Sequence, residues 1–331
     1  MWTVTMDGSS TDSNDNKKNN NRPLVLIHGF GCGSGIWSLN YDSFAANRKV
    51  YAFDILGFGR SSRPNFSKSE VAEKELVESI ERWRVAVGLE EKFILLGHSF
   101  GGYLSLAYAL THPEFIERLI LADPWGVSIP SAESTLHSQI QLPPWVQVVG
   151  KFLYHTFSPL AALRAAGPWG PSLIQKLRSD ISKKFEQMTG EENAGLILDY
   201  VYHCNAQDPP SGELAFRSLS AAIVYAKNPM VTRIPDLASH IDLTFIYGSH
   251  SWIDSEPGTQ LKQSLTDRIV QTHTIHGAGH HVYADDLEIF NDLVNSTCQE
   301  VDDIISGVAT REPGKNEVAY PEPPSSQCQI A

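Results

Sequence analysis

Long apolar runs are missing from this 331-residue chain. No uninterrupted stretch approaches the roughly 18 residues that a membrane-spanning helix needs, so such a helix is not expected. The N-terminal stretch lacks the basic-then-apolar order of a secretory signal, and a soluble intracellular protein is the expectation. Cysteine is scarce: Cys32, Cys204, Cys298 and Cys328 show no paired spacing. That pattern fits reduced thiols and argues against a disulfide framework or a zinc site. Positive charge is short as well, with 26 Lys and Arg against 38 Asp and Glu for a net charge of -12. Nucleic acid is therefore excluded as a partner, because phosphate binding needs a basic surface. No metal and no cofactor is expected.

What is present is a rhythm of buried-type strands. Apolar, branched runs recur at Leu24–Ile27, Val50–Phe53, Phe93–Leu96, Leu119–Ala122 and Leu243–Tyr247, with a weaker one at Ile269–Ile275. Helix-length patterns such as Val71–Val87 and Tyr103–Leu110 lie between them. Strands alternating with helices predict an α/β protein with a doubly wound, mostly parallel sheet. The polar segment from Asp7 to Asn21 reads as a hydrated loop between short strands. Residues 124–240 break the rhythm, carry nine basic and nine acidic side chains, and read as a helical cap inserted into a core formed by 1–123 and 241–305. Beyond about residue 305 the chain is polar and Pro-rich, which predicts a disordered tail over 306–331. Its last four residues, from Cys328, match a prenylation box only loosely.

The strongest chemical signal is "FILLGHSFGG". Gly97-His98-Ser99-Phe100-Gly101 follows a buried strand and opens a helix, the context of a nucleophile elbow. Ser99 is the expected nucleophile. One oxyanion donor is the backbone N–H of Phe100. The second comes from the loop after an earlier strand, "LVLIHGFGCG", where Phe30 is the first choice and Gly31 the second. In "FDILGFGRSSRP", Asp54 and Arg60 read as turn and ion-pair residues.

The chain order of this architecture is serine, acid, histidine. Three histidines qualify as base in "HGAGHHVYADDLEIF": His276, His280 and His281. The Gly277-Ala-Gly279 turn presents His280, which is the expected base; His276 stands too early and His281 reads as a neighbouring contact. Asp254, in the loop after the Leu243–Tyr247 strand, is the expected acid. Asp123, ending the Leu119–Ala122 strand, is the rival and reads as a strand-end residue bonding local backbone. Candidates for substrate contact are His28, His98, Trp125, Tyr154 and Trp252, with His98 also readable as a packed elbow side chain. His280 and Asp285 match an His-x4-Asp acyltransferase pattern. Asp285 with Glu288 three residues on equally resembles a helix capping box.

In the cap, Trp145, Val149, Phe152 and Leu153 share a helical face. That face suits core packing or, in the sharper reading, contact with lipid. Lys176, Arg178, Lys183 and Lys184 cluster where a phosphate head group could be met, or form a solvated face.

The runs "PLVLIHGFG", "VYAFDILGFGRSSRP", "ILLGHSFGG", "DPWG", "YVYHCNAQDPPSGE", "WID" and "GAGHHVYADD" together resemble the α/β-hydrolase-domain-containing proteins 4 and 5, from about Trp2 to Asp302. The resemblance implies glycerophospholipid substrates. One branch of that subfamily is a lysophospholipase acting on N-acyl phosphatidylethanolamines. The other co-activates a triacylglycerol lipase on lipid droplets and is credited with lysophosphatidate acyl transfer through His-x4-Asp. Asn usually replaces the elbow serine in the co-activator branch, so Ser99 favours a working hydrolase. The implied partners are a lipid substrate, a peripheral membrane or droplet surface, and a triacylglycerol lipase. The implied setting is cytoplasmic, peripheral to membranes or droplets, with the mitochondrion as an alternative. Three readings stand, in this order: serine hydrolase, acyltransferase through His280 and Asp285, and non-catalytic co-activator.

Overall fold

The computed structural model describes residues 1–8, 21–66, 71–130, 160–177, 185–186, 190, 193–222 and 224–314. Seven strands form one sheet in the order β1 (Thr3–Met6), β3 (Val50–Phe53), β2 (Leu24–Ile27), β4 (Phe93–His98), β5 (Ile116–Ala122), β8 (Asp242–Gly248) and β9 (Val270–Ile275). β1 pairs antiparallel with β3, and every other neighbouring pair is parallel. The doubly wound sheet expected from the sequence is present, with β1 as an antiparallel edge.

Parallel strands covered on both faces must be apolar at every position. β2, β3 and β4 are accordingly buried throughout. Alternate residues serve opposite faces, as strand geometry requires. Val25, Ile27, Phe53 and Leu95 join one core cluster with Leu76, Ile80 and Trp83 of α2 (Ala72–Ala86) and with α3 (Phe100–Thr111). Leu24, Leu26, Ala52 and Leu96 join a second cluster with Phe44 of α1 (Tyr41–Phe44) and with Phe290, Val294 and Val301 of the long helix Leu287–Ile305.

Between β5 and β8 the described residues include α4 (Ala161–Ala165), α5 (Gly170–Leu177), α6 (Ala194–Ala206) and α7 (Ser211–Leu219). A two-stranded ribbon, β6 (Ser220–Ala222) with β7 (Tyr225–Ala226), follows them. After β8 come α8 (Glu256–Ser264), then α9 (Val282–Asp285) and α10 (Leu287–Ile305). Lys176 is exposed on α5. Tyr154, the face of Trp145, Val149, Phe152 and Leu153, and Arg178, Lys183, Lys184 and Cys328 lie outside the described residues, as does most of the segment from Asp7 to Asn21. The tail expectation for 315–331 lies outside them too. Within 306–314, the Arg311 guanidinium pairs with Asp242 at 2.8 Å. Among the described residues no helix is long and apolar enough to cross a membrane.

One feature of strand order positions the site. The chain passes from β2 to β3 on one side, then crosses to β4 on the other. Loops leaving adjacent strands in opposite directions open a crevice at their carboxyl ends, where open α/β sheets place ligands. The loops after β2 and β4, carrying Phe30 and Ser99, border that crevice.

Candidate active site

Ser99 stands between β4 and α3 with φ 52° and ψ -117°. Apart from glycines, only Ser99 and Asp123 have positive φ among the described residues. Such backbone costs about 1–3 kcal/mol per residue and persists only where surrounding structure enforces it. The elbow enforces it by close packing. A Cβ added to Gly101 would lie 2.6 Å from the His28 carbonyl oxygen and closer still to that of Ile27. Gly101→Ala should therefore lower the unfolding free energy by about 2–3 kcal/mol, read by urea denaturation.

The second strained residue ends β5. His98 pairs with Ala122 in the β4–β5 register, so the next residues, Ser99 and Asp123, emerge side by side. Asp123 N–H donates to the Ile246 carbonyl of β8 at 2.7 Å, and Ser99 N–H to the Ala122 carbonyl at 3.0 Å. His280 closes the set: its Nε2 lies 3.0 Å from Ser99 Oγ, and its Nδ1 2.6 Å from Asp123 Oδ2. A carboxylate opposite Nδ1 requires the proton there, which leaves Nε2 to accept from the Ser99 hydroxyl.

The structure thus brings Ser99 and His280 together as the sequence suggests, but it puts Asp123, not Asp254, against the imidazole. Asp254 is exposed and accepts the Glu256 N–H at 3.0 Å, a local turn at the start of α8. The loop after β8 contributes donors instead of the acid. Gly248 N–H reaches Asp123 Oδ1 at 3.2 Å, and the Ser251 hydroxyl donates to Asp123 Oδ2 in a short bond. Asp123 is fully buried (0% exposed). Burial pushes its carboxyl up to about 7, while the Ser251 and Gly248 hydrogen bonds pull the other way.

His98 and His28 are both buried and bonded to backbone groups. Buried His98 donates through Nε2 to the His280 carbonyl at 2.9 Å, holding the backbone that carries the base. Burial, with the His280 ring beside it, drives its pKa down to about 3, so it stays a neutral donor. His28 accepts the Ile55 N–H on Nε2 at 2.9 Å and donates from Nδ1 to the Gly29 carbonyl at 2.8 Å. It ties the loop after β2 to the loop after β3, and burial lowers its pKa. Trp125 is buried against Phe100, Tyr103 and Phe216. Of the named candidates among the described residues, Trp252 alone combines exposure (49%) with contact to the set, its ring 4.8 Å from that of His280.

The Gly277–Gly279 turn is tethered by Asp285, whose carboxylate accepts the Gly279 N–H at 2.8 Å. Both imidazole nitrogens of His280 are engaged elsewhere. The capping box expected at Asp285 is displaced by one residue, because α9 ends there: Asp286 caps α10 through the Ile289 N–H at 3.1 Å. His281 is buried, with Nδ1 2.9 Å from the Tyr283 hydroxyl.

For the oxyanion, neither the Phe30 nor the Phe100 N–H donates to a backbone acceptor among the described residues. The two loops approach closely, since a Cβ on Gly29 would lie 3.1 Å from Ser99 Cβ. Among the described residues no group of three or more His, Cys, Asp or Glu side chains is arranged to hold a metal ion. The arrangement is chemically equipped for acyl transfer to a serine: a nucleophile, a base that can take its proton, an acid that orients the base, and free N–H groups beside it.

Ser251, Gly248 and the contact made by His98 have no sequence signal beyond their place at or just past strand ends.

Comparison with known proteins places the fold in a family. Residues 22–287 match the family described as the alpha/beta hydrolase fold. The human (Lyso)-N-acylphosphatidylethanolamine lipase is 45% identical over 304 residues, covering 91% of this chain and 84% of that protein. The human 1-acylglycerol-3-phosphate O-acyltransferase ABHD5 is 46% identical over 284 residues, covering 86% and 79%. Among solved structures, a thermophilic esterase from Thermogutta terrifontis aligns with TM-score 0.58 at 19% identity over 90% of this chain and 93% of that one. The epoxide hydrolase CorEH aligns with TM-score 0.59 at 18% identity over 90% and 94%. At such low identity these two speak for the fold alone. The chain belongs to the α/β-hydrolase family, and within it to the group of the (lyso)-N-acylphosphatidylethanolamine lipases and ABHD5.

Proposed function

We propose that this protein is a serine hydrolase that cleaves acyl esters of glycerophospholipids through Ser99, His280 and Asp123. The observation that carries the reading is the chain of contacts Ser99 Oγ–His280 Nε2 at 3.0 Å and His280 Nδ1–Asp123 Oδ2 at 2.6 Å. Ser99 Oγ attacks the ester carbonyl carbon as His280 Nε2 takes the hydroxyl proton. The Phe100 and Phe30 N–H groups hold the oxyanion, and Asp123 stabilises the imidazolium. The lyso-glycerol oxygen leaves with the proton from Nε2. Water, deprotonated by the same nitrogen, then releases the fatty acid from Ser99. Residues 124–240 act as a cap over a core of 1–123 and 241–305, and the substrate arrives from a membrane or droplet surface. The glycerophospholipid class is supported by the name of the lipase relative.

A fluorophosphonate probe tests the core of this reading, because it reacts only with an activated serine. One adduct mapped to Ser99 by mass spectrometry is expected, together with fatty-acid release from a lyso-N-acylphosphatidylethanolamine. An unlabelled protein would overturn the hydrolase reading in favour of a non-catalytic partner of a triacylglycerol lipase.

A second reading, acyl transfer to lysophosphatidate, is favoured by the name of the ABHD5 relative. The same acyl-Ser99 would pass its acyl group to the lipid hydroxyl instead of water. Asp285→Asn weakens the tether on Gly279 and should lower hydrolysis and transfer in parallel. Loss of transfer alone, measured by product analysis with both acceptors present, would assign Asp285 to the acyltransferase reaction.

A further inference from the structure

The "YHCN" run in α6 contacts the loop that carries the second oxyanion donor, and no step above uses it. Asn205 Nδ2 donates to the Gly31 carbonyl at 2.6 Å and to the Val201 carbonyl one helical turn back at 2.7 Å. Two carbonyl partners leave no ambiguity about which end of the amide faces them. Gly31 directly follows Phe30 and has φ 71°, so the peptide planes around it are free to turn unless something holds them. We propose that Asn205 is a positioning residue, holding the Phe30–Gly31 turn so that the Phe30 N–H points at the oxyanion beside Ser99. The proposal rests on the hydrolase reading.

Three observations make Asn205 a rigid strut. It is buried (4% exposed). Its own carbonyl accepts from Arg164 at 3.1 Å, and the preceding Cys204 carbonyl accepts from Arg63 at 2.8 Å. Two guanidinium groups thus bind carbonyls in the last turn of α6, where the helix has no internal donors left. Arg164 in turn pairs with buried Glu213 of α7, which also accepts the Leu160 N–H at 2.9 Å. The Asn205 amide is therefore anchored by the helices between β5 and β8, while its hydrogen bond lands in a loop of the sheet core. A second contact from the same helix lands farther along: the Tyr200 hydroxyl accepts the Gly35 N–H at 2.8 Å. That contact docks α6 without touching the Phe30–Gly31 turn, and it serves as a control.

The test compares Asn205→Ala, the near-isosteric Asn205→Asp and Tyr200→Phe in the full chain. The substrate is a soluble p-nitrophenyl ester, and affinity for a trifluoromethyl ketone, whose hemiketal oxyanion occupies the hole, is measured as well. Displacing one oxyanion donor should lower kcat by about 10- to 100-fold in both Asn205 variants. KM should change little, and trifluoromethyl ketone affinity should fall by the same factor as kcat/KM. Tyr200→Phe should leave kcat near wild type. Should Asn205→Ala fail to fold, Asn205→Ser, which keeps a donor but loses reach, takes its place with the same readouts. The proposal is overturned if kcat is unchanged, if the loss lies in KM with ketone affinity intact, or if Tyr200→Phe loses as much kcat. A wild-type protein that neither hydrolyses the ester nor binds the ketone would instead overturn the hydrolase reading itself.

Discussion

Ser99→Ala should lower turnover of a glycerophospholipid ester by about 10^4-fold or more. Ser99 Oγ stands 3.0 Å from His280 Nε2, so its removal takes away the hydroxyl that this imidazole would activate. The activity that survives comes from the oxyanion donors and substrate binding. Ser99 is buried and its backbone angles are imposed by the elbow, so removing one oxygen should not disturb the fold. Single-turnover hydrolysis, probe labelling and thermal unfolding measured on the same preparation separate these effects. Undiminished hydrolysis by a folded, unlabelled variant would mean that acyl transfer here does not pass through this serine.

Asp123→Asn should cost nearly as much, about 10^4-fold in kcat, while Asp254→Asn should leave kcat close to wild type. An asparagine at 123 keeps the shape but can present an N–H to Nδ1. That favours the wrong imidazole tautomer and removes the charge that stabilises imidazolium. At 254 an asparagine still offers an oxygen to the Glu256 N–H, which is the bond observed there. The opposite ranking would restore the loop after β8 as the source of the acid.

The same pair of proteins carries a pH test. Burial lifts the Asp123 carboxyl from its usual 3.8 to about 7. Between those values the folded chain holds a proton that the unfolded chain has released. The group therefore costs stability progressively as pH rises from about 4 to about 7, and the full cost remains above that. An amide does not ionise, so the Tm of Asp123→Asn relative to wild type should move in favour of the variant from pH 4 to pH 8. Movement in the other direction would show that an ion pair with His280 outweighs burial at this position.

Much of this protein is legible from contiguous residues. The strands β2 to β5 and β8 announce themselves because both faces of a parallel sheet are covered, which leaves each with a contiguous apolar run. The elbow is legible for a similar reason: strand, Gly97-His98-Ser99-Phe100-Gly101 and helix are consecutive, although the packing that enforces the strain at Ser99 includes the Ile27 and His28 carbonyls at the end of another strand. His280 follows from the Gly277-Ala-Gly279 turn and from its place after the last strand.

The acid was not legible in that way. Asp123 and Asp254 each follow a strand and each precede His280, so chain order does not distinguish them. The distinction depends on β5 lying between β4 and β8, and on the His98–Ala122 register that sets Ser99 beside Asp123. Those are hydrogen bonds between segments far apart in the chain, and residue spacing carries no record of them. The same cause separates the two aspartates of "YADD", where a short helix before the long one moves the cap from Asp285 to Asp286 and leaves Asp285 to hold the turn before His280. Asn205 belongs with them: in sequence it is one polar residue near a helix end, and only the docking of α6 on the loop after β2 brings it to the Gly31 carbonyl. Local sequence determined most of the strands, the elbow that carries Ser99 and the turn that presents His280, because each is specified by adjacent residues. Tertiary packing alone decided which carboxylate stands against the His280 ring and which side chains hold the loops, because those choices depend on which strand and helix ends meet in space.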